Sequence, residues 1–294
     1  MNKDVSKPYV ERYNCAWSQD SIRYINTPTP IARQSFFYVQ EAGYFYTLPP
    51  YFTERANLSS FLIIYTLSGR GILNYMGKEY SAKPQTALFI NCMEYHEYHC
   101  ESHNNWEFLW VHFYGSTANG YYKEFLNNGF HPVMISDSHT MEQNLRNILK
   151  LTQQKTIHSE IMISSMLLQA IAQLFIFDTN ANDNNFHIPS HINTAVNVIE
   201  THYQEPLSLD DLAAQACISK YYLSREFKRY TGTSPNEYLI LTRLNHAKEL
   251  LKDSEYSVDK IAFLCGFNHV SHFINIFKKH EKTTPLHFRK KWSE

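Results

Sequence analysis

The last hundred residues repeat themselves. Phe227-Lys228-Arg229 precedes Thr233-Ser234-Pro235, and fifty residues on Phe277-Lys278-Lys279 precedes Thr283-Thr284-Pro285. Leu223 and Phe273 share that offset, as do Tyr238 and Phe288. Upstream the offset is 49: Ser208-Leu209-Asp210 matches Ser257-Val258-Asp259, and Leu212-Ala213 matches Ile261-Ala262. One extra residue therefore sits near Gly266 in the second copy. Agreement over about 30 positions marks a duplicated supersecondary unit.

Each copy reads as helix, turn, helix. Ser208 and Ser257 are N-cap residues, each followed by an acid that suits the helix dipole. Short helices follow over Leu209 to Ala216 and Val258 to Cys265. They break at Cys217-Ile218 and Gly266-Phe267, where Gly266 fits a left-handed C-terminal position. Ser219 then caps a helix from Lys220 to Tyr230, and Asn268 is expected to cap one from His269 to His280. Leu223 and Phe227 face inward at i and i+4, as do Phe273 and Phe277. That leaves Ser219, Lys220, Tyr221, Ser224, Arg225 and Lys228 as outward candidates in the first unit. His269, Ser271, His272, Asn275, Lys278 and Lys279 are the candidates in the second. A basic, hydrogen-bonding helix face can enter a major groove, with Arg reading guanine and Asn reading adenine.

Bulk charge does not carry this reading. The chain has 27 Lys and Arg against 28 Asp and Glu, and residues 188–294 have 14 against 12 with seven His. A basic face, rather than a basic total, is the signal.

The pattern from Leu209 through Ser219…Tyr222-Leu223-Ser224-Arg225…Phe227-Lys228…Gly232-Thr233-Ser234-Pro235…Arg243…Leu250-Leu251 resembles the DNA-binding domain of AraC/XylS transcription regulators. So does Ile261-Ala262…Gly266-Phe267…Phe273…Phe277-Lys278-Lys279…Thr284-Pro285…Phe288-Arg289. The resemblance covers about 105 residues and implies sequence-specific binding to double-stranded DNA. It also implies that the helix from Asn236 to Lys252 holds both recognition helices toward one side of the duplex, in major grooves about 34 Å apart. The family usually has Gly where Lys282 stands, Asp at Asn268 and Arg at Asn275. The first unit, matching better, is implied to carry more of the specificity.

The N-terminal half has a different texture. Residues from about 36 to 115 read as short strands: Phe61 to Thr66, Ile72 to Met76, Ala87 to Ile90 and Phe108 to Phe113, with Ser68-Gly69-Arg70-Gly71 as a tight turn. The 21 Tyr, 19 Phe and 4 Trp of the chain favour such pleated surfaces. The spacing suggests a barrel or sandwich. Tyr65 to Gly71, His96-Glu97-Tyr98 and Trp106 to Gly115 resemble the cupin-like sensor of sugar-responsive members of the same family. The expected fold class is therefore α+β and multidomain. It combines an N-terminal cupin-like β-barrel with trailing helices and a C-terminal all-α domain with two helix-turn-helix units.

Aromatic faces joined to polar edges suit sugars, so Tyr65, His96, Tyr98, Trp106, Trp110 and His112 are the effector-binding candidates. Strand alternation places Trp106, Phe108, Trp110 and His112 on one face, assigned to the pocket, and Glu107, Leu109, Val111 and Phe113 on the other. Metal-binding cupins commonly use two His one residue apart. His96 and His99 are separated by two residues and point to opposite faces, so no metal, cofactor or catalytic residue is expected.

From about Thr140 the period becomes helical, over Met141 to Leu151 and Ser159 to Phe177. The second helix carries Ile161, Leu168, Ile171 and Phe175 on one stripe, widened by Met162, Met166, Leu167, Leu174 and Ile176. It is either buried between the barrel and another element or forms a subunit contact. Thr179 to Asn185, with four Asn, reads as a linker.

The expected plan is an effector-binding barrel over 1–138, a dimerisation segment over 139–178, a linker over 179–187 and the DNA-binding domain over 188–294. Five scattered cysteines without a C-x-x-C pair fit a reducing compartment, and no apolar run of about 18 residues is seen, so the expected setting is cytoplasmic with no membrane partner. The expected function is a carbohydrate-responsive activator of sugar uptake and catabolism, working as a homodimer with RNA polymerase. Two alternatives stand beside it: a regulator of the same fold answering a stress or virulence signal, and a cupin enzyme fused to a DNA-binding module.

Overall fold

The computed structural model describes residues 8–101, 104–177 and 188–292, in two units divided between Asn185 and Phe186. The linker expected over 179–187 lies outside the described residues.

The first unit runs β1 (Val10–Asn14), β2 (Ile22–Ile25), α1 (Pro30–Ser35), β3 (Tyr38–Thr47), β4 (Phe52–Ala56), β5 (Phe61–Gly69), β6 (Gly71–Tyr75), β7 (Lys78–Ala82), β8 (Thr86–Asn91), β9 (His96–Cys100) and β10 (Trp106–Tyr114). It continues through α2 (Ala118–Phe125), β11 (Val133–Met134), α3 (Ser138–Thr152) and α4 (Ile157–Ile176). The strands form two antiparallel sheets, β1-β4-β9-β6-β7 and β11-β8-β5-β10-β3-β2. The two are separate sheets, so the barrel is an open one, two sheets enclosing one core. Tyr98 on one sheet meets Trp106 on the other, with ring centroids 6.1 Å apart. The strands β1, β2, β3, β4 and β7 and the helix α2 have no named counterpart in the sequence reading, because their apolar residues do not alternate regularly with polar ones or, on β4, point away from the core.

The apolar helix α4 settles its own question only partly. Ile163, Leu167, Ala170, Ile171 and Leu174 are buried in the barrel's core, while Ile157, Ile161, Met162, Leu168 and Ile176 are exposed. Ile171 therefore belongs to the inward stripe and not with Leu168. With a mean hydropathy of 1.5 over a window of its 20 residues, α4 is by length and composition apolar enough to cross a membrane, although His, Ser, Glu and Gln interrupt its apolar residues. Its inward face is nonetheless fixed to the β domain. Glu160 accepts from Thr29 N and Thr29 Oγ1 (2.8 and 2.5 Å), and Ser164 Oγ accepts from Phe37 N (3.0 Å). Each buried aliphatic on that face contributes about 1.5–3 kcal/mol.

The second unit is helical: α5 (Ser190–His202), α6 (Leu209–Gln215), α7 (Lys220–Thr231), α8 (Pro235–Asp253), α9 (Val258–Leu264), α10 (Val270–Glu281) and α11 (Pro285–Trp292). Its two small cores repeat. Leu212, Ala213, Leu223 and Phe227 anchor the first, and Ile261, Ala262, Phe273 and Phe277 the second. Ser208 forms a capping box with Asp211, and Ser257 accepts from Lys260 N. An arginine closes each unit. Arg243 donates to the Tyr203 and Glu205 carbonyls that follow α5, and Arg289 to those of Leu251 and Tyr256 around the end of α8.

Candidate nucleic-acid interface and effector cavity

Helix α7 begins where expected, with Ser219 Oγ accepting from Tyr222 N. Helix α10 begins one residue later than expected. His269, not Asn268, holds the N-cap position and makes no side-chain cap bond. The fifty-residue offset explains this, since it carries Ser219 onto His269. On α7, Ser219, Tyr221, Arg225 and Lys228 are exposed, and Lys220 and Ser224 are half-buried. On α10 and its cap, His269, Ser271, His272, Asn275, Lys278 and Lys279 are all exposed. Leu223, Phe227, Phe273 and Phe277 are buried beneath them, so packing holds each polar stripe outward. Lys220 pairs with Asp210 at 3.0 Å. Sequence reasoning passed over Glu226, a buried carboxylate between Arg225 and Arg229.

The β unit gathers a second site. On β10, Trp106, Phe108, Trp110 and His112 face the core between the sheets, as alternation predicts. His112 is fully buried. Its Nε2 lies 2.6 Å from Arg55 Nη1 and accepts from it, leaving Nδ1 3.1 Å from Ser60 Oγ. Burial, then the Arg55 charge, holds the imidazole well below its usual pKa and therefore neutral. Arg55, on β4, is 8% exposed. Burial opposes its charge, but Tyr98 and Glu11 outweigh that, and Glu11 Oε1 sits 2.7 Å from it.

Two recesses meet at this arginine. The larger, about 300 Å³, is walled by Tyr9, Asn26, Arg33, Gln40, Arg55 and His112 together with apolar Ile25, Pro28 and Leu58. Gln40 donates through Nε2 to Ser59 O, while its buried Oε1 has no partner. The smaller, about 20 Å³, has room for about one water and includes Trp110, Tyr98, Phe45 and Tyr51 in its wall.

Of the six expected effector residues, then, only His112 reaches the cavity large enough for a small molecule. Trp110 and Tyr98 reach the narrow recess, and the indole N–H of Trp110 is without a partner there. Trp106 and His96 are fully buried and line neither recess. Trp106 donates to Thr66 Oγ1, and His96 donates through Nδ1 to Glu94 O, with its pKa pushed down to about 4 by burial. Tyr65 is turned away altogether. It pairs with Leu109 across β5 and β10, the face opposite Trp110, and its hydroxyl donates to Ser138 O on α3. The rings pack against one another, as Trp106 does against Phe108 with centroids 4.1 Å apart and planes tilted by 32°, so most of them build the core. The residues sequence reasoning missed are Arg55, Arg33 and Gln40. Among the described residues no group of three His, Cys, Asp or Glu side chains is placed to hold a metal ion.

Two family models match the chain: an AraC-like ligand-binding domain over residues 38–171 and a helix-turn-helix domain over 212–291. The chain belongs to the AraC family of transcription regulators. It is 25% identical over 236 residues to the transcriptional activator RhaS of Shigella sonnei and to that of Escherichia coli K12, covering 77% of this chain and 84% of each relative. Among solved structures, the DNA-binding domain of AdpA is 31% identical over 34% of this chain and 91% of that one, with a TM-score of 0.34. An AraC-type regulator from Chromobacterium violaceum is 35% identical over 36% and 94%, also at 0.34. As a member of this family the protein is a DNA-binding transcriptional activator with a ligand-binding domain, and the family is one of regulators rather than enzymes.

Proposed function

We propose that this AraC-family protein is a cytoplasmic, carbohydrate-responsive activator that binds its operator as a homodimer and engages RNA polymerase. Residues 1–138 sense, 139–178 dimerise and 188–294 bind DNA through α7 and α10. The observation that carries the effector reading is the polar cavity at Arg55 and His112. A neutral imidazole, a fixed guanidinium and the partnerless Gln40 Oε1 stand beside apolar Ile25, Pro28 and Leu58, the mixture that a sugar's hydroxyls and C–H faces require. The similarity to RhaS agrees with a sugar signal. The exposed stripe of α4 supplies the dimer contact, since a monomer would leave Ile161, Met162 and Leu168 in water. Effector binding acts on transcription by preferring one arrangement of the chain, because equal affinity for two states shifts neither.

Calorimetry against a panel of sugars tests the reading. One sugar is expected to bind. Gln40→Leu is expected to weaken that sugar about tenfold, the cost of one lost hydrogen bond in a desolvated site. His112→Leu, which changes the wall of that cavity, is expected to abolish sugar-dependent transcription while operator binding persists. A clear response to a non-sugar metabolite, with no heat from any sugar, sinks the proposal.

A further inference from the structure

A buried acid is out of place on a helix meant for DNA. Glu226 is 7% exposed in the middle of α7, between the inward Leu223 and Phe227, and the phosphates of a bound duplex would repel its charge. Its carboxylate is divided between the two arginines of the helix. Oε1 accepts from Arg225 Nε at 3.2 Å, and Oε2 lies 3.6 Å from Arg229 Nη1. The Arg225 side chain is otherwise 73% exposed, and its guanidinium carbon sits 5.5 Å from the centre of the Tyr222 ring. The Tyr222 ring is in turn met by His191 from α5 at 5.7 Å. The arginine is held at two points while its outer edge faces solvent.

We propose that Glu226 is a positioning residue for base recognition, fixing Arg225 so that it presents only the two-nitrogen end of its guanidinium to guanine. The proposal rests on the assignment of Arg225 to base reading. A guanidinium can offer two parallel N–H groups either from its side, through Nε and one Nη, or from its end, through both Nη atoms. With Nε committed to Glu226, the end remains. Guanine alone sets two acceptors, O6 and N7, side by side in the major groove, whereas adenine replaces one with a donor. A free arginine also loses rotamer freedom on docking and can turn to a phosphate instead. An arginine already held loses less.

The test uses the full chain and a library of randomised duplexes, from which bound sequences are selected and read. The wild type is expected to show one strong guanine preference that Arg225→Ala removes. Glu226→Leu is expected to lower that same preference on the order of tenfold. It should leave other positions unchanged, affinity for non-specific duplex equal or higher, and the melting temperature intact, since an apolar side chain suits the buried site. Glu226→Gln keeps an acceptor for Arg225 Nε and is expected to retain most of the preference. Glu226→Ala gives the same readout as the leucine variant should that chain not fold. An unchanged guanine preference in the Leu or Ala variant overturns the proposal, and so does a loss spread evenly over all positions, which marks a structural role. If Arg225→Ala alters no single position, the base-reading assignment itself fails, which is a separable result.

Discussion

Replacing Gly266 by alanine is expected to damage the DNA-binding unit far more than the same change at Gly232. Both residues sit in the left-handed region, at φ 79° and 78°. For alanine that conformation costs about 1–2 kcal/mol, partly offset by about 0.4–1 kcal/mol because alanine restricts the unfolded chain. At Gly232 a new Cβ meets nothing within 4 Å, so the net loss is about 1 kcal/mol. At Gly266 the Cβ would lie 2.6 Å from Gln204 O and 2.9 Å from Tyr203 O. These are backbone atoms whose neighbours are already tied down, because Arg243 binds the Tyr203 and Glu205 carbonyls. Overpacking of this kind adds about 1–3 kcal/mol. Gly266→Ala should therefore melt the helical unit roughly 10 °C below Gly232→Ala, taking about 4–8 °C per kcal/mol for a domain of this size. Helical circular dichroism of the whole chain reports it. Tryptophan fluorescence, dominated by Trp17, Trp106 and Trp110 of the other unit, serves as the control and should not move. Equal losses for the two variants would show that the close approach of the Tyr203–Gln204 backbone to Gly266 does not exist in solution.

The remaining expectations concern each link of the proposed function. Arg225→Ala should weaken specific binding by about 1–3 kcal/mol and relax one base position, whereas Lys279→Ala should weaken all sequences alike and flatten the salt dependence. Titrations of both at several salt concentrations separate the two roles. Leu168→Glu should convert a dimer to monomers in sedimentation without unfolding, since Leu168 is 42% exposed, while Ile171→Glu should unfold the β unit because it places a charge in the core. A wild-type monomer at micromolar concentration refutes the contact. Acid should destabilise the β unit. His96 titrates near 4 when folded and near 6.5 when unfolded, so the unfolded chain binds more protons between those values and stability falls as pH drops through that window. His96 alone removes about 2 kcal/mol between pH 7.5 and 5, and urea midpoints at those pH values should show a loss that His96→Phe diminishes.

The DNA-binding unit was legible because its determinants are local. Caps, the turn between helices and the i, i+4 pairs all fall within 21 residues in each copy, Ser208 to Phe227 and Ser257 to Phe277, and duplication states each of them twice. Even its one error, the cap at Asn268, is a single residue of slippage that the repeat itself corrects. The turn is left-handed in both copies, at Gly266 and at Cys217 (φ 55°), but only the glycine announces that conformation in the sequence.

The effector cavity was not legible, for reasons of geometry. Strand alternation gave the inner face of β10 correctly, since the parity of one strand is a local property. It gave no sign for Tyr65, because Phe61 to Thr66 are buried on both faces and only the register against Leu109 decides which way the ring points. Arg55 was hidden for the opposite reason. On β4 the inward residues are Thr53 and Arg55 while Phe52 and Ala56 are half-exposed, so a rule that sends apolar groups inward reads the strand backwards. What reverses it is Glu11 on β1 and His112 on β10, 44 and 57 residues away, which supply the partners that let a guanidinium be buried. The sequence by itself determined the helical repeat and which of its faces is basic, because neighbours in the chain make those choices. Tertiary structure alone decided which aromatics become core, where an open cavity remains and how its charge is balanced, because those depend on partners that only the folded sheets bring together.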